Sequence, residues 1–229
     1  MIIKYFLSLF FPNYCLGCGN TLETPDESLC IYCLAQFPET DFQKESPNAM
    51  EQLFLGKVDI EHAAALYYFS KGSRIQSVIH NLKYKGKKDV GFLLGRLLGK
   101  ELKESPYFQS IDYILPVPLH KKKKNKRGYN QSEEIAKGVS EGMNIPLNTK
   151  SLLRGRFTKT QTRKKRFERW ENVKDVFFVQ QTSKLENKHI LLIDDVVTTG
   201  SSLISCVEKL LTIEGVKVSV ATIAIAGGR

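Results

Sequence analysis

The stretch His189–Ser202 reads HILLIDDVVTTGSS, and its reading decides the fold. His189–Ile193 is the most hydrophobic strand candidate in the chain. A short continuous apolar run of this kind belongs to a strand buried on both faces. Two adjacent carboxylates, Asp194 and Asp195, end the run. Val196, Val197, Thr198, Thr199, Gly200, Ser201 and Ser202 then lead into a helix expected over Ser201–Leu211. At the C-terminal edge of a parallel sheet, such a loop faces the binding crevice. Its small residues let the backbone N–H groups of 198–202 turn toward one point. The hydroxyls of Thr198, Thr199, Ser201 and Ser202 add donors, and the helix N-terminus adds a favourable dipole. A phosphate dianion fits this cradle. The two aspartates would repel that phosphate on contact, so they must face another part of the same ligand. Vicinal sugar hydroxyls, which donate to carboxylates, are the natural candidates. Neither G-x-x-x-x-G-K-[ST] nor G-x-G-x-x-G occurs in the chain, which disfavours a P-loop or a dinucleotide turn.

Outward from this stretch the rhythm is strand, then helix. Ile111–Val117 reads as a buried strand, Ser132–Val139 as a helix with Ser132 as its cap, Val176–Val179 as a short strand and Val216–Ile225 as the final one. Upstream, His62–Ser70 is a strand rich in aromatics. Ser73 can cap a helix carrying Ile75, Val78, Ile79 and Leu82. Lys83–Lys88 is a basic turn, and Asp89–Leu102 has helical apolar spacing with glycines that allow close packing. Glu45–Gly56 is a linker or short helix around Pro47, and Cys206 is a buried helix cysteine. Strands alternating with helices make an α/β fold, a parallel sheet flanked by helices.

Four of the five cysteines form two pairs, Cys15-Leu-Gly-Cys18 and Cys30-Ile-Tyr-Cys33, in the pattern C-x2-C-x11-C-x2-C. Two residues between thiolates let each pair turn its sulfurs onto one ion, and two such turns make a tetrahedral all-sulfur site suited to zinc. Gly17 and Gly19 can supply the positive backbone angles such turns use. The alternatives are two disulfides or a redox pair, but a redox CxxC should be single and lie near a βαβ unit. With four thiolates no position is left for water, so the zinc is expected to be structural. Residues 12–40 carry few large apolar side chains, and metal ligation would supply their folding free energy. The expected organisation is a zinc module over 1–45 and an α/β domain over 46–229.

The chain has 229 residues, 42% hydrophobic and 25% charged, which excludes disordered, collagen-like and disulfide-scaffold classes. No run approaches the ~18 apolar residues of a membrane span. Met1–Phe11 is apolar with a single Lys4, but no small-residue cleavage site follows it. It is read as a short amphipathic helix packing on the body or on a second copy, and cytoplasmic residence is expected. The net charge of +10 is concentrated. Residues 120–169 hold sixteen Lys/Arg against four Asp/Glu, hence +12, and the remainder sums to −2. Such clustering, with Gly, Asn and Gln in loop-like stretches, points to a phosphorylated small molecule or a nucleic acid, against the plainer reading of a solvated face. Tyr129, Phe157 and Phe167 interleave with these cations and Trp170 lies beside them, as stacking platforms for single strands would. Core packing is the competing reading, favoured for Trp170 and Phe177.

Ile190–Ser202 closely resembles the phosphoribosyl pyrophosphate signature of type I phosphoribosyltransferases: four hydrophobics, two acids, two hydrophobics, then T-T-G. Lys83-Tyr84-Lys85-Gly86, Pro116-Val117-Pro118-Leu119, Arg127-Gly128-Tyr129-Asn130-Gln131-Ser132, Gln161-Thr162-Arg163 and Arg169-Trp170-Glu171-Asn172 accompany it. With the four-cysteine module, these resemble the ComF family of competence-associated, phosphoribosyltransferase-like proteins over nearly the whole chain. The resemblance implies a type I phosphoribosyltransferase-like sheet with an N-terminal tetracysteine zinc module. It implies that Asp194 and Asp195 hold the ribose hydroxyls and that Thr198, Thr199, Gly200, Ser201 and Ser202, with Val196 and Val197, form the 5′-phosphate loop. Pyrophosphate would bind at Val117 and Pro118 and the basic stretch behind them. Arg163, Lys164 and Lys165 of a hood over Arg154–Arg169 would neutralise it, and magnesium would accompany the ligand. The implied activity is phosphoribosyl transfer to an acceptor the chain does not reveal, in the service of DNA uptake. Single-stranded DNA, a competence helicase or the uptake machinery, and a second copy of the chain are the implied partners. A binding accessory protein without chemistry, or a regulator sensing the sugar phosphate, are the alternatives. The two prolines of Pro116-Val117-Pro118 remove backbone donors where typical enzymes offer them to pyrophosphate.

Overall fold

A computed structural model describes residues 12–24, 27–155 and 177–227. Four strands form one all-parallel sheet: β1 (Ala63–Phe69), β2 (Tyr113–Pro116), β5 (His189–Val197) and β6 (Lys217–Ala226), in the order β1-β6-β5-β2. The HILLI strand lies inside it, paired through Ile190↔Val218 on one side and Tyr113↔Ile190 on the other. Ile190 to Ile193 are all fully buried, as are Ile114, Leu115, Val220 and Ile223. The unbroken apolar run is therefore what two covered faces require. His189 anchors the start of this strand, its ring nitrogens 2.8 Å from Ser110 Oγ and 2.9 Å from Ser219 Oγ.

The helices are α1 (Ile31–Ala35), α2 (Arg74–Tyr84), α3 (Lys88–Glu104), α4 (Lys121–Arg127), α5 (Gln131–Met143) and α6 (Ser201–Leu210). Ser73 caps α2 as its position suggested, accepting from Gln76 N. The glycines of α3 do permit close approach. A methyl group at Gly95 would overlap the Ile135 carbonyl of α5, and one at Gly138 would overlap that of Phe92. The two backbones touch, so no side chain larger than hydrogen fits either position.

Four expectations are corrected. First, β5 does not end at Ile193 but continues through both aspartates to Val197, held by Asp194↔Thr222 and Val197↔Ile225 pairing. Second, α5 is capped by Asn130, whose side chain accepts from Ser132 N, and not by Ser132. Third, the lysine run at 121–124 is not a loop but lies in α4, which starts at the His120 cap and ends where Gly128 takes φ +84°. Lysine favours helix, and only sequence neighbours had suggested otherwise. Fourth, the short strand β4 (Phe177–Val179) is not in the parallel sheet. It pairs antiparallel with β3 (Leu152–Arg154) as a separate two-stranded ribbon. Phe177 is buried in the core, as expected, beneath the Arg154 guanidinium.

Residues 37–54 are packed against the sheet. Phe37, Phe42, Met50 and Phe54 are buried, and Asn48 Nδ2 donates to the carbonyls of Phe42, Glu45 and Ala63. Residues 38–40 also lie along β1: Tyr68 N donates to Pro38 O at 2.7 Å and Thr40 N to Leu66 O at 3.2 Å. That covers the backbone of a strand otherwise at the sheet edge. Met1–Phe11, the hood residues 156–169 with Arg163, Lys164 and Lys165, and Trp170 lie outside the described residues.

Candidate functional site

Because Asp194 and Asp195 are successive strand residues, their side chains diverge. Asp194 accepts from Ser132 Oγ at 2.7 Å, a hydroxyl at the start of α5. The Asn130 cap leaves that hydroxyl available. Burial and the neighbouring Asp195 charge push the Asp194 carboxyl up to about 7. Asp195 pairs with Lys83 Nζ, at the end of α2, 2.9 Å from its Oδ1. Its Oδ2 is buried and has no hydrogen-bond partner among the described residues. A buried carboxylate oxygen without a donor is costly unless a ligand supplies one.

Beyond the pair, the loop folds into a cavity of about 90 Å³ lined by Asp194 and by residues 196–203. Gly200 makes the turn at φ +75°, a conformation any side chain would strain, and passes directly into α6. The first N–H groups of that helix have no intrahelical acceptor. Thr198, Thr199, Ser201 and Ser202 are exposed, and Thr199 Oγ1 lies 2.9 Å from Ser201 Oγ. Donors and dipole thus converge on one small, open cup.

Val117 and Pro118 follow β2 beside this site. The Val117 N–H is spent on Ile193 O at 2.8 Å, and its carbonyl accepts from Asn130 Nδ2. Proline has no N–H to give. Neither residue offers a backbone donor to an anion. Cations stand in that neighbourhood instead: Lys83, Lys123, Lys126 and Arg127, with Tyr84 and Gly86, line a cavity of about 280 Å³. Tyr129, expected among the stacking residues, is buried, and its hydroxyl donates to the Leu82 carbonyl. Sequence reasoning gave no site role to Ser132 or Lys83. Their only signal was that both fall in the short polar motifs flanking the helices.

The second cluster is the tetracysteine one. The Sγ atoms of Cys15, Cys18, Cys30 and Cys33 all lie within 4.8 Å of one another. Cys18 Sγ and Cys30 Sγ are 3.8 Å apart. A tetrahedron with metal–sulfur bonds of about 2.3 Å has edges of about 3.8 Å, so the spacing suits an ion of zinc's size. Burial opposes the Cys15 thiolate, but the backbone N–H groups of Cys30, Cys18 and Gly17 bring its pKa down to about 6. Cys33 is driven far up by burial and by the sulfurs around it. Four thiolates so close repel one another, and a divalent cation removes that conflict. Gly19 takes φ +79°, as foreseen, but Gly17 does not. Gly17 is needed for space, since a Cβ there would lie 2.9 Å from Cys33 Sγ.

The profile of the phosphoribosyl transferase domain family matches residues 106–229. The chain is 29% identical over 140 residues to the DNA utilization protein YhgH of Shigella flexneri, covering 60% of this chain and 61% of that one. It therefore spans about three fifths of the length of that relative. It is 27% identical over 211 residues to Competence protein F of Haemophilus influenzae, covering 90% and 81%. With Competence protein ComFC of Streptococcus pneumoniae it shares 27% over 226 residues, covering 89% and 95%. Among solved structures, adenine phosphoribosyltransferase from Leishmania tarentolae aligns at 12% identity and TM-score 0.38, over 85% of this chain and all of that one.

Proposed function

From a chain that belongs to the phosphoribosyl transferase domain family, and within it to the ComF group, we propose a protein of DNA uptake that binds phosphoribosyl pyrophosphate at the Asp194–Ser202 site. The observation that carries this reading is the juxtaposition of the open cup at 196–203 with two carboxylates, half-buried Asp194 and buried Asp195, the second of which keeps an oxygen without a donor. The 5′-phosphate sits in the cup, on the α6 N-terminus and the hydroxyls of Thr198, Thr199, Ser201 and Ser202. The ribose diol donates to Asp194 and Asp195. Ser132 and Lys83 are positioning residues, holding each carboxylate by one oxygen. The Lys83 ammonium also offsets the Asp195 charge. The pyrophosphate end is met by the cations of the hood, Arg163, Lys164 and Lys165.

The acid pair offers the hard oxygen donors that magnesium prefers, including the free Oδ2 of Asp195. When bound, the ion would neutralise charge on the pyrophosphate. The Val117 and Pro118 backbone gives no donors to that leaving group, which supports binding more strongly than turnover. The tetracysteine cluster holds structural zinc in this reading.

Calorimetry with phosphoribosyl pyrophosphate and magnesium tests the proposal. Saturable heat is expected from the parent chain, and its loss from Asp194→Asn combined with Asp195→Asn. No heat at millimolar ligand, or equal heat from the double variant, would overturn it. Release of pyrophosphate with a panel of nitrogenous acceptors then separates an enzyme from a sensor.

A further inference from the structure

The turn from α4 into α5 reads Tyr129-Asn130-Gln131-Ser132, and all four residues are buried. Buried polar side chains need partners, so their hydrogen bonds say what the turn is for. Gln131 accepts from the Arg127 guanidinium within the turn. Each of the other three reaches a different element.

Tyr129 reaches α2. Its hydroxyl donates to the Leu82 carbonyl. Leu82 lies in the last turn of that helix, where carbonyls lack a following intrahelical N–H. Burial pushes the phenol pKa up, so the hydroxyl stays a donor. The residue after Leu82 is Lys83, whose ammonium holds Asp195 Oδ1 at 2.9 Å. Asn130 uses both ends of its amide. Its Nδ2 donates to Val117 O at 2.9 Å, just past β2, and its Oδ1 accepts from Ser132 N at 3.2 Å. Val117 N in turn donates to Ile193 O, the carbonyl immediately before Asp194. The cap on Ser132 N fixes the start of α5, and from there the Ser132 hydroxyl reaches Asp194 Oδ1 at 2.7 Å. Two adjacent residues of one turn thereby stand behind both carboxylates, one through Lys83 and the other through Ser132.

A vicinal diol is short and stiff. It meets two carboxylates at once only if their separation is held, because hydrogen bonds weaken steeply with misalignment. One brace serving both acids fixes that separation, which two unconnected supports would not. We propose that Tyr129 and Asn130 are positioning residues that hold Asp194 and Asp195 at the spacing of a sugar diol, and so set the preference of the site for ribose over deoxyribose. The proposal rests on the sugar-phosphate reading of that site.

Calorimetry with ribose 5-phosphate and with 2-deoxyribose 5-phosphate reads the preference as a ratio of dissociation constants. The parent chain is expected to favour the ribose form. Tyr129→Phe and Asn130→Ala should each cut the ratio about threefold to tenfold, the worth of one hydrogen bond, by weakening the ribose form. Loss of packing or stability alone would weaken both sugars alike and leave the ratio unmoved. Because the two residues act through others, Tyr129→Phe should add little in a Lys83→Gln chain, and Asn130→Ala little in a Ser132→Ala chain. Melting midpoints establish folding, and Tyr129→Phe, which keeps the buried ring, decides the matter if Asn130→Ala does not fold. A parent chain without the preference overturns this proposal together with the reading it rests on. A parent that has the preference overturns this proposal alone in either of two cases: a folded Tyr129→Phe or Asn130→Ala variant keeps the ratio in full, or the losses in the paired variants are fully additive.

Discussion

At the scale of single residues, the role proposed for Asp194 runs against stability. Its carboxyl is raised toward about 7 in the folded chain by burial and by Asp195. The unfolded value is near 3.8, so between these limits the folded state binds more protons. Stability from this residue is therefore present at low pH and declines as pH rises through about 7. Asp194→Asn removes the liability, because the amide never ionises. We expect the variant's denaturation midpoint to exceed that of the parent chain by more at pH 8 than at pH 5, while sugar-phosphate binding is lost. Urea titrations at the two values measure it, and a constant difference would refute it. The acid pair itself was plain in the sequence, since two carboxylates after four hydrophobics stand out. Their partners were not. Ser132 is 62 positions from Asp194, and nothing local in the sequence says that a helix start will arrive beneath that strand.

At the scale of elements, the contact of α3 with α5 is the firmest expectation to have become a measurable constraint. Glycine in a helix costs about 1 kcal/mol relative to alanine, so Gly91, Gly95 and Gly99 in one helix require a reason. For Gly95 and Gly99 the reason is the second helix, whose Gly138 and Gly142 face them, while Gly91 makes room for Leu82 of α2 and Glu134 of α5. Gly95→Ala should gain helix propensity yet lose overall stability, by about 1–3 kcal/mol, because backbones must separate. A chemical denaturation curve shifted upward would contradict this. Strand and helix positions were legible wherever apolar spacing was long, as in HILLI and residues 88–104. They were illegible where polar residues form regular structure. The β5 extension through Asp194 and Asp195 runs against strand preference and depends on β6 beside it. The α4 helix is all Lys, Asn and Arg, and periodicity is silent on such a run. Of the β3–β4 ribbon only β4 was legible, as the short strand 176–179; β3, three residues long, was too short for alternation to register, and the antiparallel pairing was not foreseen.

At the scale of the whole molecule, the tetracysteine module is joined to α2 by short polar links. Ser77 Oγ of α2 donates to Leu16 O at 2.9 Å, and Arg74 reaches Gln36. Chelation is expected to release one zinc per chain, by colorimetric assay, and to lower the thermal midpoint. Unchanged melting after complete removal would exclude a structural ion. Among the described residues no helix is long and apolar enough to cross a membrane. The covering of β1 by residues 38–40 gives metal loss a particular outcome. Those residues follow Cys33 by only a few positions, so slackening of the thiolate knot would peel a selvedge from the parallel weave. The bared row of amides would then seek another molecule's, and turbidity should rise before the cup at 196–203 loses its shape.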